Sequence, residues 1–330
     1  MNNKIAVLGD GSWGTAIVKI LMDNNLDIHW HIRLKDDIDY IKRTKHNPTY
    51  LRSVELHLDK IQLFNDITEC VKGCDTVIYV IPSAYSEIAF KDVPSQALQN
   101  KFIVSAVKGI VPGHYVTPLE YIKEKFNLED EQLGVISGPS HAEEIALERL
   151  TYLTASSPTT EKVDYLADLF SCRYVKTSKS DDIYGTEYAA IMKNIMAVAS
   201  GIANGVGYGD NFQAVLISNA IREIKRFVDT VHPITRDIKN SVYLGDLLVT
   251  AYSTFSRNRT FGNMIGKGYS VNAAQMEMSM VAEGYYAVKG IYEINKNYGI
   301  DLPITNAVYN ILYEHISPRI EINILTDQLT

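Results

Sequence analysis

The chain has 330 residues, 46% of them hydrophobic and 22% charged, with a formal net charge of −7. That length and composition suit two globular domains. The acidic balance argues against nucleic acid as a partner, since surfaces that neutralise phosphate backbones are basic, but it leaves room for a local basic pocket. No apolar run approaches the ~20 residues that span a bilayer, and the opening residues lack a signal-peptide pattern. Membrane insertion is therefore not expected. The three cysteines, Cys70, Cys74 and Cys172, are few and odd in number, and the Cys70/Cys74 pair, four residues apart, has no further Cys or His partners nearby. No metal site is expected, and reduced thiols point to the cytoplasm.

An apolar run, Ile5 to Leu8, leads into Gly9-Asp10-Gly11-Ser12-Trp13-Gly14, and a segment of helical periodicity follows through Ala16, Ile17, Ile20 and Leu21. Strand, tight turn and helix in this order are the context a dinucleotide fingerprint requires. Gly9 makes the turn, Gly11 lets a pyrophosphate lie against the backbone, and Gly14 lets the helix pack on the strand. The helix N-terminus offers N–H groups to the phosphates. A second strand runs over 27–33 and ends in Arg33, with Lys35 close behind. NAD sites usually carry an acid there. A cation suits a 2′-phosphate and points to NADP(H); the alternative is a solvated strand-end charge.

The segment 36–51 reads as a helix and a loop punctuated by Asn47-Pro48. Continuous apolar runs at 76–83 and 102–107 suit strands covered on both faces; the second delivers Lys108-Gly109 to the sheet's carboxyl edge. Residues 133–137 form another strand and deliver Gly138-Pro139-Ser140-His141-Ala142. Further strands are expected around 151–155 and 174–177. Beyond 180 the apolar residues recur at helical spacing, with long helices at 185–203, 211–231, 270–297 and 303–315. The expected fold is an α/β Rossmann-type N-terminal domain with a mostly parallel sheet over 1–180, followed by an all-α domain over 181–330.

Lys193 is a lone cation in an otherwise apolar helix. It either snorkels to water or faces a polar cleft, and partial desolvation brings a lysine toward the range useful for acid/base work. Asp210 reads as a helix N-cap after a glycine-rich turn. Asp246, at the head of an apolar segment, reads from periodicity alone as another N-cap. Ser256-Arg257-Asn258-Arg259 packs two guanidiniums, a hydroxyl and an amide into four residues, and arginine suits phosphate through bidentate bonding. A solvated basic turn is the alternative.

Taken together, these strings resemble the bacterial NAD(P)-dependent glycerol-3-phosphate dehydrogenases. The resemblance runs nearly end to end through Gly9-Asp10-Gly11-Ser12-Trp13-Gly14-Thr15-Ala16, Asn47-Pro48-Thr49-Tyr50-Leu51, Val107-Lys108-Gly109-Ile110 and Ser137-Gly138-Pro139-Ser140-His141-Ala142-Glu143-Glu144. It continues through Lys193-Asn194, Gly205-Val206-Gly207-Tyr208-Gly209-Asp210-Asn211, Gly245-Asp246-Leu247, Ser256-Arg257-Asn258-Arg259, Phe261-Gly262 and Val281-Ala282-Glu283-Gly284.

The resemblance implies reversible hydride transfer from NADH or NADPH to dihydroxyacetone phosphate, giving sn-glycerol 3-phosphate for phospholipid synthesis. It implies that Lys193 is the general acid, that Lys108 contacts substrate and cofactor, and that Asp246 orients Lys193. Ser256, Arg257 and Asn258 match substrate positions, chiefly at the phosphate, and Gly138 and Ser140 line the same site. Ser12, Trp13, Arg33, Ala142, Val281 and Glu283 match cofactor positions, and Arg257 is expected to reach the cofactor as well. Two departures stand out. Asp10 occupies a place where alanine is usual, and Trp30 is separated from Arg33 by His31-Ile32, a one-residue shift. The first puts a carboxylate near the pyrophosphate, where it weakens binding if it faces the phosphates; the second bears on the choice between NAD and NADP. A homodimer is compatible with the sequence, although no interface stripe marks one. Two alternatives are a related dehydrogenase of another small hydroxy acid and a non-catalytic nucleotide-binding homologue. The first does not account for Ser256-Arg257-Asn258-Arg259 beside Gly245-Asp246-Leu247, and the second predicts loss of Lys193, Asp246 and Lys108.

Overall fold

The computed structural model describes residues 4–253, 255–278 and 282–330. They form two compact units. One comprises Met1–Val107 and Pro118–Ile183; the other comprises Lys108–Thr117 and Tyr184–Thr330. A single cut near 180 thus misses one feature: the short segment carrying Lys108 packs with the helices that come later in the chain.

The first unit is built on one eight-stranded sheet. Its strands are β1 (Lys4–Leu8), β2 (Asp27–His31), β3 (Ile61–Phe64), β4 (Thr76–Tyr79), β5 (Phe102–Ser105), β6 (Leu133–Ser137), β7 (Thr151–Ser156) and β8 (Val175–Ser180). The order is β3-β2-β1-β4-β5-β6-β7-β8. All pairings are parallel except β6 with β7. The central strands β4, β5 and β6 are buried along their whole length, as their unbroken apolar character requires of strands covered on both faces. The covering helices are α1 (Ser12–Asp23), α2 (Lys35–Thr44), α3 (Ile67–Val71), α4 (Ser86–Phe90), α5 (Pro118–Phe126), α6 (Ala142–Ala146) and α7 (Thr160–Phe170). The strand order reverses at β1, which has β2 on one side and β4 on the other. In open α/β sheets the ligand crevice lies outside the carboxyl ends of the strands at such a point.

The second unit is helical: α8 (Ile183–Val206), α9 (Asp210–Val231), α10 (Asp246–Tyr252), α11 (Arg257–Gly266), α12 (Val271–Glu277), α13 (Glu283–Asn295), α14 (Pro303–Leu312) and α15 (Pro318–Thr326). The expected helix over 270–297 is two helices, because α12 ends at Glu277 and α13 begins at Glu283. The helix after 36 ends at Thr44, where Lys45 turns left-handed. Gly209, not Asp210, is the N-cap of α9. The expectation that no apolar run reaches membrane-spanning length also needs correction. α8 has 24 residues and a mean hydropathy of 1.2 over its best window, but 83% of that window is buried inside the protein. It is the central helix of the unit's core, with Ile191, Met192, Ile195, Met196, Val198 and Ile202 sealed from solvent.

α8 and α11 cross with their backbones nearly touching. A Cβ on Gly262 would lie 2.1 Å from the Val198 carbonyl oxygen, and one on Gly201 would lie 2.1 Å from the Arg259 carbonyl oxygen. Only glycine allows that approach, and it fixes the start of α11 against the middle of α8. Elsewhere the buried Glu223 of α9 accepts from the Ile304 and Thr305 N–H groups (2.8 and 2.9 Å) and the Thr305 hydroxyl (2.6 Å), capping α14. Gly262→Ala forces a methyl against main chain that cannot yield. It is expected to destabilise the protein by about 1–3 kcal/mol, measured by urea denaturation. An unchanged midpoint would mean that the two helices do not cross this closely.

Candidate active site

At the end of β1 three glycines meet three different constraints. Gly9 has φ +126°, and a Cβ on it would lie 3.0 Å from the Val80 and Ile81 main chain just beyond β4. A Cβ on Gly14 would lie 2.2 Å from the Gly9 carbonyl oxygen. Gly11 is the opposite case: nothing lies within 4 Å of where its Cβ would stand. That open space adjoins the N-terminus of α1, which has no side-chain cap and no acidic residue in its first turn. An open cradle at the positive end of a helix fits the diphosphate of a dinucleotide. Ser12 and Trp13 open the helix, and the Trp13 indole Nε1 is buried with no partner among the described residues.

The loop is held by groups outside it. Trp30 Nε1 donates to the Gly9 carbonyl at 3.0 Å, and Asn47 Nδ2 donates to the Asp10 carbonyl at 3.0 Å. Asn47 Oδ1 in turn accepts from the Thr49 and Tyr50 N–H groups. Asp10 turns toward the end of β2, where its Oδ2 accepts from the Arg33 N–H at 2.9 Å. The Arg33 side chain is exposed. Beyond β6, Gly138 has φ +133° and leaves no room for a Cβ beside the Tyr152 carbonyl; Ser140 Oγ donates to the Gly138 carbonyl at 3.1 Å. Ala142 begins α6, which packs on α1.

In the second unit, two segments deliver lysine side chains to one carboxylate. Asp246, at the start of α10, is 1% exposed. Its Oδ1 accepts from Lys193 Nζ on α8 at 2.5 Å, and its Oδ2 accepts from Lys108 Nζ at 2.9 Å. Lys193, itself 6% exposed, also donates to Thr250 Oγ1 at 2.8 Å, and Thr250 donates to the Asp246 carbonyl one helical turn back. Asn194 Nδ2 holds the Lys108 carbonyl at 2.7 Å. Asp246 is thus a buried ionic partner and not merely an N-cap. Burial opposes its ionisation, but the two lysines more than offset this and hold its carboxyl below the usual range. Lys193 is lowered to about 7: burial is the largest cause, the Asp246 charge opposes it, and the Lys108 charge adds to it. One carboxylate facing two amines leaves one proton more than the carboxylate can balance. Such a cluster can give a proton to an oxygen that is gaining negative charge.

At the start of α11, Ser256 Oγ accepts from the Arg259 N–H at 3.3 Å, and Asn258 Oδ1 accepts from the Gly284 N–H at 2.9 Å. Both side-chain oxygens therefore already accept one main-chain N–H. The Ser256 O–H and the Asn258 Nδ2 have no partner among the described residues. Arg257 is exposed at the first position of α11, whose first turn has no acidic residue. Bare donors, a guanidinium and a helix N-terminus suit an anion. Glu283 begins α13. Val281 lies outside the described residues.

Sequence reasoning missed Thr250 and the positioning roles of Trp30 and Asn47. Thr250 carries one signal, its spacing of four from Asp246. The contacts of Trp30 and Asn47 with the loop join residues far apart in the chain, and no spacing reveals them.

The model of the NAD-dependent glycerol-3-phosphate dehydrogenase N-terminus matches residues 4–163, and that of the C-terminus matches 182–323. The glycerol-3-phosphate dehydrogenase [NAD(P)+] of Staphylococcus carnosus is 36% identical over 316 residues, covering 95% of both chains. Its counterpart from Oceanobacillus iheyensis is 35% identical, covering 96% of this chain and 91% of its own. The crystal structure of glycerol-3-phosphate dehydrogenase from Coxiella burnetii superposes with a TM-score of 0.91 at 26% identity, covering 99% of each chain. A glycine cradle on a parallel sheet, a buried lysine pair on a helical unit and these matches in both halves lead to one conclusion: the chain belongs to the NAD-dependent glycerol-3-phosphate dehydrogenase family.

Proposed function

We propose that this protein catalyses the reversible reduction of dihydroxyacetone phosphate to sn-glycerol 3-phosphate with NADH or NADPH. The observation that carries the reading is the pair of lysines on the buried Asp246. The first unit takes the dinucleotide through Gly9, Gly11, Ser12, Trp13, Gly14, Arg33 and Ala142. The second unit takes the substrate and supplies the proton. A bound dihydronicotinamide supplies the hydride. Lys193 protonates the carbonyl oxygen of the substrate as it becomes an alkoxide, and removes that proton in the reverse direction. Lys108 opposes the negative charge developing on that oxygen. Asp246 and Thr250 hold Lys193 in one rotamer, so its proton is aimed before the substrate arrives. The Ser256 hydroxyl, the Arg257 guanidinium and the Asn258 amide take the phosphate, with Arg257 and Glu283 also assigned to the cofactor. Gly138 and Ser140 are assigned to the substrate. The small and odd number of cysteines supports a cytoplasmic location.

Lys193→Met keeps most of the side-chain stem and removes the proton. It is expected to lower kcat for dihydroxyacetone phosphate by about 10²–10⁴-fold, with circular dichroism unchanged. Near-normal turnover in a folded variant would remove Lys193 from the mechanism.

The pH dependence follows from the same group. Reduction needs Lys193 protonated, so its kcat is expected to fall as pH rises through about 7; oxidation needs the free amine and falls as pH drops through the same value. Stability should show the matching sign. Between about 7 and the ordinary lysine value of 10.5 the unfolded chain binds the extra proton, so unfolding becomes harder as pH rises. Paired pH–rate profiles in the two directions check the assignment, and profiles that move together would contradict it.

Arg257→Ala tests the substrate class. The KM for dihydroxyacetone phosphate is expected to rise about 10–100-fold, as for loss of a charged hydrogen bond, with a much smaller loss for unphosphorylated dihydroxyacetone at saturating cofactor. Equal losses with both ketones would place Arg257 away from the phosphate.

A further inference from the structure

β2 ends at His31 and is followed by Ile32-Arg33, so the strand end that usually carries an acid for the ribose 2′-hydroxyl carries none of its own. The glycine loop supplies one. Asp10 is half-buried, with its carbonyl fixed by Asn47 Nδ2 at 3.0 Å and its Oδ2 fixed by the Arg33 N–H at 2.9 Å. A carboxylate is thus pinned beside the first exposed residue after β2, and its Oδ1 has no partner among the described residues. The surrounding charge has the same sign. Asp36 and Asp37 occupy the first turn of α2. The Asp37 carboxyl is held above its ordinary range, first by burial, then by the charge of Asp10, with Arg33 opposing and Asp36 adding. These four groups therefore share one electrostatic neighbourhood, and the Asp10 charge also acts on the buried His31.

Resting on the reading of the glycine loop as a dinucleotide site, we propose that Asp10 sets cofactor choice: its free oxygen accepts from the 2′-hydroxyl of NAD(H), and its charge opposes the 2′-phosphate of NADP(H). The preference is for NAD(H) despite the cation at Arg33. A carboxylate delivered from the β1–α1 loop replaces the one missing from the end of β2. A purely structural role, accepting from the Arg33 N–H, is served equally well by the neutral Asn side chain, so the two roles separate on charge alone.

The test is direct binding, with no turnover involved. NADH and NADPH are titrated into the wild type, Asp10→Asn and Asp10→Ala, followed by isothermal calorimetry, with thermal midpoints recorded for each protein. The wild type is expected to bind NADH about tenfold tighter than NADPH, a single like-charge contact at a partly solvated site being of that order. Asp10→Asn keeps the acceptor for the Arg33 N–H and the fold. It should narrow the NADH/NADPH ratio about tenfold, chiefly by tightening NADPH, and Asp10→Ala should do the same while weakening NADH further. Raising the salt concentration should narrow the wild-type ratio and leave that of Asp10→Asn flat, since only the former contains the charge. A ratio unchanged in Asp10→Asn, or a wild type that prefers NADPH, overturns the role given to Asp10 and leaves the dinucleotide site standing. A wild type that binds neither nucleotide overturns the reading of the glycine loop itself.

Discussion

Asp246 is a carboxylate taken out of water and more than balanced by two lysine amines from distant parts of the chain. Removing an ion from water costs several kcal/mol even after relaxation, and the cost is recovered only where geometry and hydrogen bonding are complete. Here they are: each oxygen has a lysine, and Lys193 has Thr250 as a second acceptor. The arrangement constrains everything near it. α10 must begin at Asp246, α8 must present Lys193 to it, and the segment after β5 must bring Lys108 alongside. A buried apolar replacement of similar volume would serve stability as well or better. What the ionic cluster provides instead is a lysine whose proton is loosely held, because burial and the Lys108 charge both act against it.

The surrounding packing keeps that cluster in place. The glycine crossing sets α11 on α8 with no side chains between the two backbones, so the start of α11 cannot drift relative to Lys193. Asn258 then ties α11 to the first turn of α13, and Asn194, next to Lys193, ties α8 to the Lys108 main chain. In the first unit the glycine loop is fixed in the same manner, by side-chain donors from Trp30 and Asn47 that hold main-chain carbonyls. Both the glycine loop and the Lys108 segment have main-chain carbonyls met by side chains, which is the general requirement for irregular backbone.

What the sequence reveals divides along the range of the forces involved. β4, β5 and β6 announce themselves because strands buried on both faces must be apolar throughout, whereas β3 is a four-residue edge strand, too short to show a period. α8 is legible for the same reason as β4. The break between α12 and α13 is not, since apolar residues continue at helical spacing across it. Lys193 stands out as a cation in an apolar helix. Asp246 does not, because a carboxylate heading a helix is the ordinary form of an N-cap, and the lysine that makes it different lies 53 residues away. Lys108 is assigned by chain order to the sheet, yet its segment belongs with the helices. Ile110 fills the space left by Gly290 on α13, a contact that no local pattern encodes.

The side chains that can both donate and accept carry the most specific information about ligands. Ser256 and Asn258 each have their oxygen engaged by a main-chain N–H, while their donors have no partner among the described residues. Such donors suit an anion. Asp10 is the converse: one oxygen is taken by the Arg33 N–H and the other remains as an acceptor. A basic residue in the sequence, Arg33 or Arg257, indicates only that an anion is affordable nearby. Which of them stands beside donors and which beside an acceptor is set by hydrogen bonds to the backbone. Those bonds give two exposed arginines different surroundings, although their immediate sequences look equally suited to phosphate.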